Sequence, residues 1–111
     1  MFECVTQGVV DVVQGDAPLN AEHAGEVARL LDRCLSSGRP YVVLDLDRVP
    51  LIDSAGLELL VDFQERLQQV GGALKLAAVN PLCRDVLDVT GVRASMEVFP
   101  EVLSAVGSFV R

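Results

Sequence analysis

The chain has 111 residues, half of them hydrophobic, enough to build one core and too few for two, so a single domain over 1–111 is expected. Sixteen acidic residues against nine basic ones give a formal charge of -7, and with no basic cluster this argues against direct nucleic-acid binding. No apolar run nears the roughly 20 residues of a spanning helix, and Glu3 stands where a secretory leader would be basic, so a cytoplasmic protein without membrane insertion is expected.

From the start, Phe2 to Val5 and Val9 to Val13 are short apolar runs about a Gln7-Gly8 turn, which predicts a hairpin. A loop from Gly15 leads to Asn20, a good N-cap, and a first helix is predicted from Ala21 to Ser36. Its stripe of Ala24, Val27, Ala28, Leu31 and Leu35 faces the core, with Glu26, Arg29, Asp32 and Arg33 in water and Gly38 as the stop. Tyr41 to Leu46 is β-branched-rich and reads as a strand. A second helix carries Leu57, Leu60, Val61, Leu67 and Val70 on one side and Glu58, Asp62, Glu65 and Arg66 off it. Gly71-Gly72 breaks the pattern, and Ala73 to Val79 supplies another strand. Pro81 opens a third helix to about Val89, closed by Gly91. A last strand near Ser95 to Val98 and a terminal helix from Pro100 complete the chain.

Strands alternating with helices imply parallel β-α-β units, and such crossovers are right-handed in about 98% of cases. A sheet growing in one direction then receives its helices on one face. Leu44 and Leu46 point opposite to Asp45 and Asp47, and Lys75 opposite to Leu74 and Leu76, which suggests a partly open second face where Asp45 and Lys75 pair across strands. The expected fold class is α/β: a mostly parallel sheet of about five strands, with about four helices packed mainly on one face.

The most informative stretch is Leu51-Ile52-Asp53-Ser54-Ala55-Gly56-Leu57, where a strand hands over to the second helix. Asp53 or Ser54 falls at the N-cap, where free backbone amides and the positive end of the helix dipole accept negative charge. Ordinary capping explains an Asp-Ser pair as well as a functional site does. Cys4, Cys34 and Cys83 are odd in number, far apart in sequence and without a C-x-x-C, so three reduced thiols are expected, Cys34 on an apolar helix face. His23 is the only histidine, and no close acid cluster suggests a metal site; no cofactor is expected.

Asp53, Ser54, Gly56 and Leu57 resemble the phosphorylation-site motif of STAS domains, the family of bacterial anti-sigma factor antagonists. Arg39 to Leu46 resembles the family's strand before that site. Gly71 to Leu76 with Asn80-Pro81 resembles the strand and turn after it, and Leu87 to Val92 its short third helix and glycine stop. The resemblance implies a STAS-like (β/α) superhelix and a cycle. The unphosphorylated protein binds an anti-sigma factor that is also a serine kinase, and a sigma factor is released. The kinase then phosphorylates and inactivates the antagonist, and a metal-dependent serine phosphatase restores it. Carried over, Ser54 is the phospho-acceptor, with Asp53, Ala55, Gly56, Glu58, Asn20 and Asp16 as partner-binding residues. Gly56 has two readings, room for a partner's close approach or a tight start to the helix. Asn20 stands where the family has an acid; it caps as well but carries no charge.

Three other readings use the same residues. One is a STAS adaptor that is never phosphorylated, in a stress-signalling or lipid-transport assembly. In an enzyme Ser54 would be a nucleophile with His23 as base, although Asp-Ser-Ala-Gly is not the G-x-S-x-G elbow. A phosphoaspartate receiver would use Asp45, Asp47 or Asp53, but its lysine would have to be Lys75, which falls inside a predicted strand.

Overall fold

Short polar side chains open the first three helices by meeting free amides of the first turn. In the computed structural model, which describes residues 1–110, Asn20 Oδ1 accepts from the His23 N–H at 3.2 Å and Asp53 Oδ1 from the Gly56 N–H at 3.1 Å. Asn80 Oδ1 accepts from the Cys83 N–H at 2.8 Å. These residues cap α1 (Ala21–Ser36), α2 (Ser54–Gln69) and α3 (Pro81–Val89). A last helix, α4 (Val102–Phe109), has no side-chain cap.

The strands β1 (Phe2–Gln7), β2 (Val10–Gly15), β3 (Tyr41–Asp45), β4 (Ala73–Ala77) and β5 (Val98–Phe99) lie side by side in chain order. β1 runs antiparallel to β2, and the other pairings are parallel. Because the sheet grows one way, its right-handed crossovers place α1, α2 and α3 on one face, as expected from the alternation. There Val42, Leu44, Leu46, Leu74 and Leu76 meet Leu31 of α1, Leu60 and Leu67 of α2 and Leu87 of α3, all without exposure. Each such side chain stabilises the fold by about 1.5–3 kcal/mol relative to its exposed state. The buried side of α1 is rotated from the predicted stripe: Leu30 and Cys34 are buried with Val27 and Leu31, while Ala24, Ala28 and Leu35 are half-buried.

The second face differs from expectation. It is covered by α4, whose Ala105 is buried on Val10, Val12, Val43 and Ala77, with Tyr41, Phe99 and Phe109 packed around them. α4 follows the last strand and belongs to no crossover, so the handedness rule does not bind it to the first face. The anticipated Asp45–Lys75 pair is not made. In the parallel register Lys75 stands opposite Val43 and Asp45 opposite Ala77. Lys75 is only 8% exposed; its Nζ donates to Ser108 Oγ at 2.7 Å and lies 4.0 Å from the centre of the Phe109 ring and 3.6 Å from Glu97. Asp45 turns to its own loop and accepts from the Asp47 N–H at 3.0 Å. The last strand is also displaced. Gly91, at φ +78°, leads into a 3-10 turn over Val92–Ser95, and strand pairing begins only at Val98.

Candidate functional site

Beyond β3 the chain crosses the end of the sheet before turning into α2, and backbone bonds fix that crossing. The Leu46 N–H donates to Ala77 O at 2.9 Å, and Asn80 Nδ2 donates to Val49 O at 3.1 Å. Val49 and Ile52 point inward as anchors. The loop before α1 then lies alongside: the Leu19 N–H donates to Leu51 O at 3.0 Å and the Asp53 N–H to Leu19 O at 3.2 Å, a short parallel bridge. Gly56 makes this approach possible. A Cβ there would sit 2.3 Å from Leu19 O and 2.9 Å from Ile52 Cγ2. The structure therefore gives Gly56 the second of its two readings, because the residue is buried under this loop and offers no surface to a partner.

Asp53, half-buried, does the capping, and Ser54 is left exposed as the first residue of α2. Among the described residues no hydrogen bond engages Ser54 Oγ. The hydroxyl thus stands at the positive end of a 16-residue helix, where an added anion is favoured by about 0.3–1 kcal/mol. Beside it runs a shallow groove of about 500 Å³, lined by Ser54, Leu57, Glu58, Val61, Asp62, Glu65, Thr90 and Val92. Leu57, Val61 and Val92 form an apolar floor that packs on the main core. Glu58, Asp62 and Glu65 give it an acidic rim.

The expected site residues are only partly brought together. Ser54 and Glu58 share the groove, Asp53 and Ala55 flank the hydroxyl as half-buried neighbours, and Asn20 follows the Leu19 bridge. Asn20 Oδ1 is also 3.0 Å from His23 Nδ1. Asp16 does not join this groove. It lies in a separate polar cleft with Glu3, Asp45, Asp47 and Arg48, and the Met1 ammonium 2.9 Å away holds its carboxyl below the usual range. Lys75 is enclosed beneath α4, on the sheet face opposite α2, away from where a receiver's lysine would meet a phosphoaspartate. The far wall of the groove, Thr90 and Val92, is not among the residues the sequence points to: Gly91 signals the stop of α3, and where the following turn packs depends on tertiary contacts.

The family model of the STAS domain matches residues 2–105. The chain belongs to the STAS domain family. A Bordetella bronchiseptica protein, named as a candidate anti-sigma factor antagonist and called BtrV, is 35% identical over 100 residues, which cover 90% of this chain and 76% of that relative. Among solved structures, a candidate anti-sigma factor antagonist from Thermotoga maritima superposes with a TM-score of 0.93 at 23% identity, covering 99% of this chain and 95% of that one. SpoIIAA, a Bacillus cell fate determinant, was solved in its unphosphorylated form (TM-score 0.77, 16% identity, covering 100% of this STAS domain and 98% of that chain) and in its phosphorylated form (0.74, 18%, 100% of both). At these identities the structures establish the fold.

Proposed function

We propose that this STAS domain is an anti-sigma factor antagonist, a binding protein and not an enzyme, which in its unphosphorylated state grips an anti-sigma factor that is also a serine kinase and is switched off by phosphorylation of Ser54. The observation that carries the reading is the division of labour at α2: Asp53 makes the cap and Ser54 Oγ is exposed and uncommitted. Phosphorylation would add about -1.5 to -2 charge beside Asp53 and Glu58. The helix start tolerates that charge, so the fold is kept while the docking surface changes. Like charges pressed together in an interface cost several kcal/mol, and about 2.7 kcal/mol already weakens binding a hundredfold. In this reading Asp53, Ala55 and Glu58 contact the partner, Asn20 shapes the neighbouring loop, and Asp16 acts from a more distant rim. A metal-dependent serine phosphatase would complete the cycle.

The test begins with affinity capture of the anti-sigma factor from the native cell and mass spectrometry of Ser54. With the captured partner and ATP, wild type gains the mass of one phosphate and Ser54→Ala does not. Ser54→Ala binds like wild type, and Ser54→Asp binds about a hundredfold more weakly. Unshifted mass together with equal binding by both variants would defeat the proposal and favour the adaptor reading.

A further inference from the structure

Cys4 and Cys34 are far apart in sequence, yet the hairpin and α1 bring them together. Cys4 lies on β1, where Thr6 pairs with Asp11 of β2 two residues further on, and Cys34 lies in the last turn of α1. The two Sγ atoms and a carboxylate oxygen of Asp11 all lie within 4.8 Å of one another. Cys34 and Asp11 are buried at 3% and 4% exposure, whereas Cys4 is exposed. All three line one open cleft of about 480 Å³. Asp11 is held from the side: Thr6 Oγ1 donates to its Oδ1 at 2.9 Å and Arg39 to the same atom at 3.5 Å. Both partners address Oδ1.

We propose that Cys4, Cys34 and Asp11 bind a thiophilic divalent cation, with Zn²⁺ as the best fit. Zinc takes thiolate and carboxylate ligands at about 2.3 and 2.0–2.2 Å in a tetrahedron, which sets the two sulfurs about 3.8 Å apart. The observed spacing needs a contraction of about an ångström or less, within the reach of side-chain rotation. Two thiolates and a carboxylate supply three of four positions, and the fourth opens on the cleft, as in sites whose remaining ligand exchanges. Thr6 and Arg39 orient the carboxylate from behind, in the manner of outer-shell partners. Binding releases the two thiol protons to solvent and changes no oxidation state.

The test uses the full chain, purified and kept under reductant and stripped of metal with a chelator. Titrated with Co²⁺, wild type develops a thiolate-to-metal charge-transfer band that saturates at one equivalent and is displaced by one equivalent of Zn²⁺. Cys4→Ser, an exposed position that does not threaten folding, loses the band, Asp11→Asn weakens it, and Cys83→Ser keeps it. A missing band, or one that survives Cys4→Ser, overturns the proposal. So does a protein that, purified without reductant, has an intact mass two hydrogens short and, once reduced, still binds no Co²⁺.

Discussion

Gly56→Ala isolates the contact that shapes the Ser54 surface. The new methyl would lie 2.3 Å from Leu19 O, 2.9 Å from Ile52 Cγ2 and 3.0 Å from Leu19 Cγ. Backbone stands on one side and a buried branched side chain on the other, so the loop must lift. Overpacking of this kind costs about 1–3 kcal/mol. Lifting Leu19 also stretches its two bridge bonds, at 3.0 and 3.2 Å, each worth about 0.5–1.5 kcal/mol. Against this, alanine gains about 1 kcal/mol over glycine in a helix. These effects overlap because one movement relieves the clash and breaks the bonds, and the net expectation is a loss of about 2 kcal/mol. For a domain of this size that is a fall in melting temperature of about 10 °C. Urea unfolding should show a lower midpoint with an unchanged slope, since the surface exposed on unfolding is the same. A variant as stable as wild type, or more so, would refute the close-approach argument and leave Gly56 as an ordinary helix position.

Removing the cap with Asp53→Ala should cost about 1 kcal/mol in urea unfolding, while Ser54→Ala should fall within about 0.5 kcal/mol of wild type, because only the first residue bonds to the helix. Gln64 bridges the sheet and the α3 end, accepting from the Leu74 N–H at 2.7 Å and donating to Ser95 O at 2.8 Å. Gln64→Leu fills the same space but strands both groups, and should destabilise by about 1–3 kcal/mol in the same assay. Burial raises the Cys83 thiol above its ordinary value of 9.0. As pH climbs past that value the unfolded chain ionises this thiol while the folded one keeps its proton, so stability falls with rising pH. Unfolding measured from pH 7 to 10 should show this decline, and Cys83→Ala should make the slope shallower over the same range.

What could be read from the sequence was whatever a short segment determines by itself. α1 and α3 begin at the expected residues because Asn20 and Pro81 are local signals that need no tertiary partner. The family motif around Ser54 is legible for the same reason, seven adjacent residues at one junction. The charged side chains Asp45 and Lys75 argue for an open second face, yet Val10, Val12 and Val43 on that face are buried beneath α4. Lys75 misled because a long side chain can bury its stem and settle its ammonium on Ser108 Oγ and the Phe109 ring, contacts that exist only once α4 has folded back. Cys4 and Cys34 are distant in sequence, and sequence separation says nothing about a hairpin lying beside the end of a helix. The groove wall at Thr90 and Val92 was hidden likewise, since its position follows from the packing of the α3 end and not from its composition.

The assignment of the cap to Asp53 reaches further than the geometry of one turn. Because the neighbouring oxygen makes no bond that holds the first turn, a change of that side chain leaves the Asp53 bond to Gly56 in place. The surface at the start of α2 can therefore vary from one side chain to another without disturbing the turn beneath it.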